Sequence, residues 1–261
     1  DDKHRSTHAA ESAILQSTCV RVDSEPIQLE EQGFVEQVFS GRFIRLATCF
    51  VVTSFWANYY IGSMTIEVKD EQLFNEETLN QLIQTFSYIS VAGIVFSAVA
   101  GHCQDTIGSS QTNIITCLIG TAQMILILSA NSEPEMVASF VIYSLFRSFL
   151  YPCFFSGLAT SFGFKYYGTL SGLVAALSGA IFLVVVPFLS EFAIGTCHEA
   201  AKEECFHGRW KTLHVAQIVS LILLLLMEVA YQDGRESDVG YYQKPIEKEK
   251  NLELYNYGSV E

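Results

Sequence analysis

The sequence predicts an all-α membrane protein with six transmembrane helices. Two observations carry that prediction. Half of the 261 residues are apolar and 16% are charged, against about 25% charged in a soluble domain. The charges also crowd into positions 1–45, a few short loops and the tail after Tyr231, which leaves long uncharged stretches between them. Such stretches, apolar all round, do not fold as one soluble core.

A membrane span needs roughly 20 mostly apolar residues. Six segments qualify: Phe43–Ile66, Leu82–Cys103, Ile114–Ala130, Met136–Phe162, Gly168–Ile194 and Thr212–Tyr231. They are helices, because barrel strands alternate at period two and Ile218–Met227 or Ile181–Leu189 do not. Domain organisation follows. Residues 1–41 form an acidic cytoplasmic segment, 42–232 the six-helix bundle, and 233–261 a cytoplasmic tail. The stretch Gly33–Arg45 places Phe34, Val38 and Phe39 near one helical face, which predicts an amphipathic helix at the membrane surface.

An even number of spans puts both termini on one side. Arg42, Arg45, Lys165, Arg235, Lys244 and Lys248 fall on that side, with Lys69, Lys202, Arg209 and Lys211 opposite. Six against four places the termini in the cytoplasm, and the plasma membrane is the expected location. The net charge of −13 excludes nucleic acid as a partner, since phosphate binding needs a basic footprint. The first residue is Asp, so the chain is expected to be processed or a fragment, and no signal peptide opens it. Cys197 and Cys205 sit in the polar loop before the last span, on the outer side. They form either a disulfide or two free thiols. Neither a metal site nor a cofactor is expected, with His198 and His207 read as exposed loop residues. The remaining cysteines read as packing residues or, for Cys19, as a free thiol.

The spans differ in polarity. The first carries Thr53, Ser54, Trp56, Asn58, Tyr59, Tyr60 and Ser63; the fourth carries Tyr143, Ser144, Arg147, Ser148, Tyr151 and Ser156. Polar groups in hydrocarbon are expensive unless they face protein or water. Spans one and four are therefore expected to line a cavity, and the aliphatic sixth span to face lipid. Arg147 lies mid-span, roughly 15 Å from either interface at about 1.5 Å per residue, beyond snorkelling reach. No Asp or Glu sits at mid-depth in any span. Arg147 must then meet carbonyls and hydroxyls, an acid in another part of the protein, or an anionic ligand. Tyr143 and Tyr151 share its face at i−4 and i+4.

Three further features concern helix geometry. Gly168, Gly172, Ala176 and Ala180 recur every four residues in span five, beside Ser171, Ala175 and Gly179. Such rows let helix backbones approach closely. Pro152 and Pro187 are positioned to bend spans four and five. Between spans two and three, Gly101, Asp105 and Gly108 form a predicted loop whose Asp accepts backbone donors at a helix start.

That Gly101…Asp105…Gly108 pattern resembles the loop signature of the major facilitator superfamily in its second-half copy, with Thr106, Ser109 and Ser110 where the family places basic residues. Arg147-Ser-Phe-Leu-Tyr151, followed by Phe164-Lys-Tyr-Tyr-Gly168-Thr-Leu-Ser-Gly172, is similar to helices ten and eleven of the solute carrier 43 group. The segments Val38-Phe-Ser-Gly-Arg-Phe43 and Asn58-Tyr-Tyr-Ile-Gly62 are similar to that group's entry into helix seven. These are transporters of large neutral amino acids, and the apicomplexan amino acid transporters are similar to them. The resemblance implies that the six spans are the C-terminal six-helix bundle of a major facilitator type transporter, helices seven to twelve, lacking the N-terminal half. It implies an amino acid as solute, alternating access as mechanism, and a central cavity lined by the first and fourth spans.

The expected solute site is accordingly Trp56, Asn58 and Tyr59 facing Tyr143, Arg147 and Tyr151, with Arg147 pairing a substrate carboxylate. The absence of a mid-membrane acid favours facilitated diffusion over proton coupling. The rival reading is a non-transporting six-span scaffold or binding subunit that pairs through the small-residue row. An enzyme is not expected, because no HExxH, GxSxG or P-loop pattern occurs.

Overall fold

The computed structural model describes residues 33–70, 75–130, 132–195 and 208–232. The acidic segment before residue 33, the tail after 232, and the Cys197, Cys205, His198 and His207 loop lie outside the described residues. Every described element is a helix: α1 Phe34–Val38, α2 Gly41–Asp70, α3 Glu76–Ala92, α4 Ile94–Ile107, α5 Ser109–Ser129, α6 Glu133–Phe162, α7 Tyr167–Ile194 and α8 Gly208–Gln232.

Four of these, α5 to α8, are long and apolar enough to cross a membrane, and α3 with α4 makes a fifth if that bent pair is one span. The expected first span, α2, has the length, at 30 residues, but not the apolarity. Two of its polar side chains are satisfied within the helix. Thr53 Oγ1 donates to the Cys49 carbonyl at 2.6 Å, and Asn58 Nδ2 to the Ser54 carbonyl at 2.9 Å. Such back-bonding lets a hydroxyl or amide sit in apolar surroundings without a cavity.

Helix α6 is the hub and touches α2, α3, α4, α5 and α7. Its start is fixed by a capping box between Ser132 and Glu135, with Pro134 in the first turn. Against α2 it forms an aromatic seam. Phe50 stacks on Phe154 with centroids 4.1 Å apart, Tyr60 meets Tyr143 at 4.7 Å, and Phe43 meets Phe162 edge-on at 5.8 Å. Pro152 does not interrupt α6, nor Pro187 α7. The broken span is α3–α4, bent by 41° at Gly93.

The predicted surface helix over 33–45 is divided. Ser40 Oγ accepts from the Phe43 amide at 3.2 Å, and α2 is already under way at Gly41. Within α1, Gln37 is buried while Phe39, just beyond, is exposed.

Helix α8 is two-faced rather than wholly lipid-facing. Trp210, Leu213, His214, Gln217, Leu221, Leu224 and Glu228 are buried, at spacings of three and four residues. Val215, Val219, Leu223 and Leu226 are exposed on the other side. The buried stripe is clamped to α2 near both ends. Glu228 pairs with Arg45 and accepts from Ser110 Oγ at 3.1 Å and Asn113 Nδ2 at 3.4 Å on α5. The Arg45 guanidinium also lies 4.0 Å over the Tyr231 ring. Near the far end, His214 bonds Glu67.

Removing one partner of a buried pair strands the other charge and costs about 3–5 kcal/mol, whereas replacing both with apolar residues of similar volume is often near neutral. Glu228→Ala is therefore expected to lower the thermal unfolding midpoint of the detergent-purified protein sharply. The double variant Arg45→Met, Glu228→Leu should recover most of that loss.

Candidate functional site

Two helical turns of α6 and the break in α3–α4 enclose a cleft of about 180 Å³. Ser90, Gly93, Ile94 and Ser97 form one wall; Tyr143, Ser144, Arg147, Ser148 and Tyr151 form the other. The break exists because of what α6 presents to it. Ser144 Oγ donates to the Ile89 carbonyl at 3.1 Å, and Ser148 Oγ to the Gly93 carbonyl at 2.7 Å. Both carbonyls also keep a backbone partner, the Gly93 amide on Ile89 and the Phe96 amide on Gly93, each at 3.0 Å, so the serines add second bonds that tie α6 to the bend. Only glycine fits at the bend, since a Cβ on residue 93 would collide with Ser144 Oγ.

Arg147 is the cleft's charge. It is the fifteenth of the 30 residues of α6, so it lies about 20 Å from either helix end at about 1.5 Å per residue. It is half-buried beside Tyr143, whose side chain hydrogen-bonds it and whose hydroxyl donates to the Ala57 carbonyl at 2.7 Å. Among the described residues no carboxylate reaches Arg147; the described ion pairs are those of Arg45 and His214. A lone guanidinium ringed by serine and tyrosine hydroxyls attracts one anionic group and offers neutral donors and acceptors to the rest of the ligand. The volume is below the ~300–1,000 Å³ of pockets for drug-sized molecules, which suits a small solute.

Of the six expected solute-site residues, the structure brings together Tyr143, Arg147 and Tyr151 and separates the other three. Trp56 and Tyr59 pack with Phe55, Phe182, Trp210 and Leu213 on the side of α2 that meets α7 and α8. Asn58 is turned to its own helix. Successive residues on a helix diverge by about 100°, so Tyr60 faces α6 where Tyr59 faces α8. The described cleft is lined by α3–α4 and α6 rather than by α2. The overlooked signal was Ser144-x-x-x-Ser148, two hydroxyls one turn apart, opposite a span interrupted by Gly93.

The other expected sites also shift. Gly101 and Asp105 belong to α4 rather than to a loop, and Asp105 is exposed without a hydrogen bond among the described residues. Gly108 alone makes the turn, at φ +83°, a left-handed value that favours glycine. Gly168, Gly172, Ala176 and Ala180 are exposed, and a Cβ added at either glycine meets open space. Helix α7 packs through Leu170 and Val174, and Ser178 Oγ lies 2.9 Å from Ser54 Oγ on α2.

Comparison with known proteins returns no matching family model, no matching curated protein and no matching solved structure.

Gly93→Ala is expected to force α3 and α6 apart, with an overpacking cost of about 1–3 kcal/mol. Ser144→Ala in the same chain removes the colliding hydroxyl and should return part of the loss. Thermal unfolding of the single and double variants checks this; equal midpoints for Gly93→Ala and the unaltered chain would contradict the close approach.

Proposed function

We propose that this chain is the C-terminal half of a carrier that moves a small amino-acid-like solute across a membrane by alternating access. The observation that carries the reading is Arg147, central in the longest of the apolar helices, facing a serine-lined cleft with no carboxylate partner among the described residues. A charge in that position marks a functional site by default. The solute carboxylate takes the place of the partner, in a bidentate pair with the guanidinium. Serine hydroxyls and backbone carbonyls at the α3–α4 break hold the rest. Broken helices near mid-membrane recur at transporter substrate sites because unwound backbone supplies polar groups there.

In this reading α2 is the sixth span. Its polarity is tolerated because α6, α7 and α8 surround it. The termini face the cytoplasm of a plasma-membrane carrier, and the exposed glycine and alanine row of α7 meets the N-terminal half. That same row also favours a second reading, a six-span subunit that pairs with another membrane protein and carries nothing.

Uptake of labelled neutral amino acids by cells making the full reading frame separates the two. Arg147→Ala is expected to reduce uptake at least tenfold, about 1.4 kcal/mol or more of lost binding. Arg147→Lys, which keeps the charge but not the fork, is expected to retain part of it through a raised KM. Unchanged uptake and KM in both variants removes Arg147 from the site. No uptake by the unaltered protein, correctly inserted, favours the subunit reading.

A further inference from the structure

We propose that the cleft between α3–α4 and α6 selects a small zwitterion, an amino acid no larger than alanine or serine, and that Ser148 is the residue that distinguishes its ammonium from a neutral substituent. The inference rests on the carrier reading and names its solute. Ser144 Oγ spends its one hydrogen on the Ile89 carbonyl at 3.1 Å. Ser148 Oγ lies between two carbonyls, Gly93 at 2.7 Å and Ser144 at 2.8 Å, and has one hydrogen for the two. Both serines line the cleft, and with their hydrogens committed they meet a ligand as acceptors.

Oxygens therefore outnumber hydrogens around Ser148. An ammonium, with three donors and no acceptor, suits that imbalance. A hydroxyl in its place brings one donor, and a hydrogen on carbon brings none. Ser90 adds a further oxygen from the opposite wall, where its Oγ is buried without a hydrogen-bond partner among the described residues. Arg147, the residue before Ser148, takes the other end of the ligand. Its guanidinium holds a carboxylate in a fork, and the carboxylate then stands between the two positive charges. The guanidinium alone would accept any small carboxylate. Together with the acceptor oxygens it asks for both ends of a zwitterion.

The walls limit what else the ligand carries. A volume of 180 Å³ holds roughly six non-hydrogen atoms at about 30 Å³ for each water-sized unit, which is the size of alanine. Tyr143 is not free to swing aside. It is 1% exposed, its hydroxyl donates to the Ala57 carbonyl at 2.7 Å, and its ring lies against Tyr60 and Phe86. Tyr151 is backed edge-on by Phe50 at 5.9 Å. Glycine, alanine and serine fit between these walls, whereas leucine and phenylalanine exceed the space. The solute is thus smaller than the large neutral amino acids that the resemblance implies.

Calorimetric titration of the purified protein, made from the full reading frame, tests this choice. Alanine, lactate and propionate share one carbon skeleton and a carboxylate, and differ in carrying an ammonium, a hydroxyl or a hydrogen. Alanine is expected to bind at least about tenfold tighter than either of the others, as hydrogen bonds to a charged group allow. Leucine is expected to bind at least about tenfold more weakly than alanine. Ser148→Ala is expected to erase most of the preference for alanine over propionate while propionate still binds, a change in selectivity that loosened packing does not produce. Ser90→Ala, which gives up no described hydrogen bond, is expected to weaken alanine more than propionate, and it serves where Ser148→Ala fails to fold. Lactate, propionate or leucine bound as tightly as alanine, no binding of any of the four, or a preference for alanine kept in both variants overturns the proposal. Uptake separates it from the carrier reading. Transport of leucine and phenylalanine in preference to alanine overturns the proposal and leaves the carrier. Alanine bound with the expected selectivity but not moved by the correctly inserted protein overturns the carrier reading and leaves the cleft's choice of ligand.

Discussion

Arg45 enters the bundle one turn after α2 begins and meets Glu228 near the far end of α8, and neither charge could stay there alone. An isolated buried ion costs several kcal/mol, and a pair offsets that cost only when hydrogen bonds satisfy what remains. Here Ser110 and Asn113 bring α5 to the same carboxylate, and Tyr231 covers the guanidinium. One carboxylate thus gathers three helices. Because α8 is fixed to α2 near both ends, its stripe of Leu221 and Leu224 is laid against Cys49 and Cys117. The outward face is left to Val219, Leu223 and Leu226. The polar helix is thereby packed against α6, α7 and α8.

Helix α6 takes three different kinds of contact around its circumference. Toward α2 it is aromatic, toward α5 it is close-packed, and toward α3–α4 it offers hydroxyls. The cleft lies on the third side, where two serines add second bonds to the Ile89 and Gly93 carbonyls and Gly93 lets the helices approach. Arg147 lies on that same side, so the charge and the hydroxyls that tie α6 to the bend come from one stretch of six residues, Tyr143 to Ser148.

Much of this could be read along the chain. Apolar run lengths located α2 and α5 to α8 to within about five residues at each end, but ran α3 and α4 together as one span. Arg147 stood out for the same reason: one charge in an apolar run has to face polar groups or water. What could not be read was which way α2 faces. Polarity was taken to mean a cavity, yet Thr53 and Asn58 satisfy themselves on the preceding turn, a local solution that composition does not distinguish from exposure. Glu67 and His214 were passed over because each lies near a helix end, where charges are ordinarily solvated. Only the packing of α8 on α2 buries them.

Helix α7 is the least enclosed of the apolar helices, and its outward row is not uniform. Gly168, Gly172, Ala176 and Ala180 continue, at the same four-residue step, into Val184 and Phe188, which are 63% and 69% exposed. Lipid makes no demand for small side chains, whereas a protein backbone does. Each four-residue step turns the row by about 40° around the helix, so it winds from Gly168 on one side of α7 to Phe188 nearly on the other. A partner helix follows such a row only by crossing α7 at an angle, in close contact over the glycine and alanine turns.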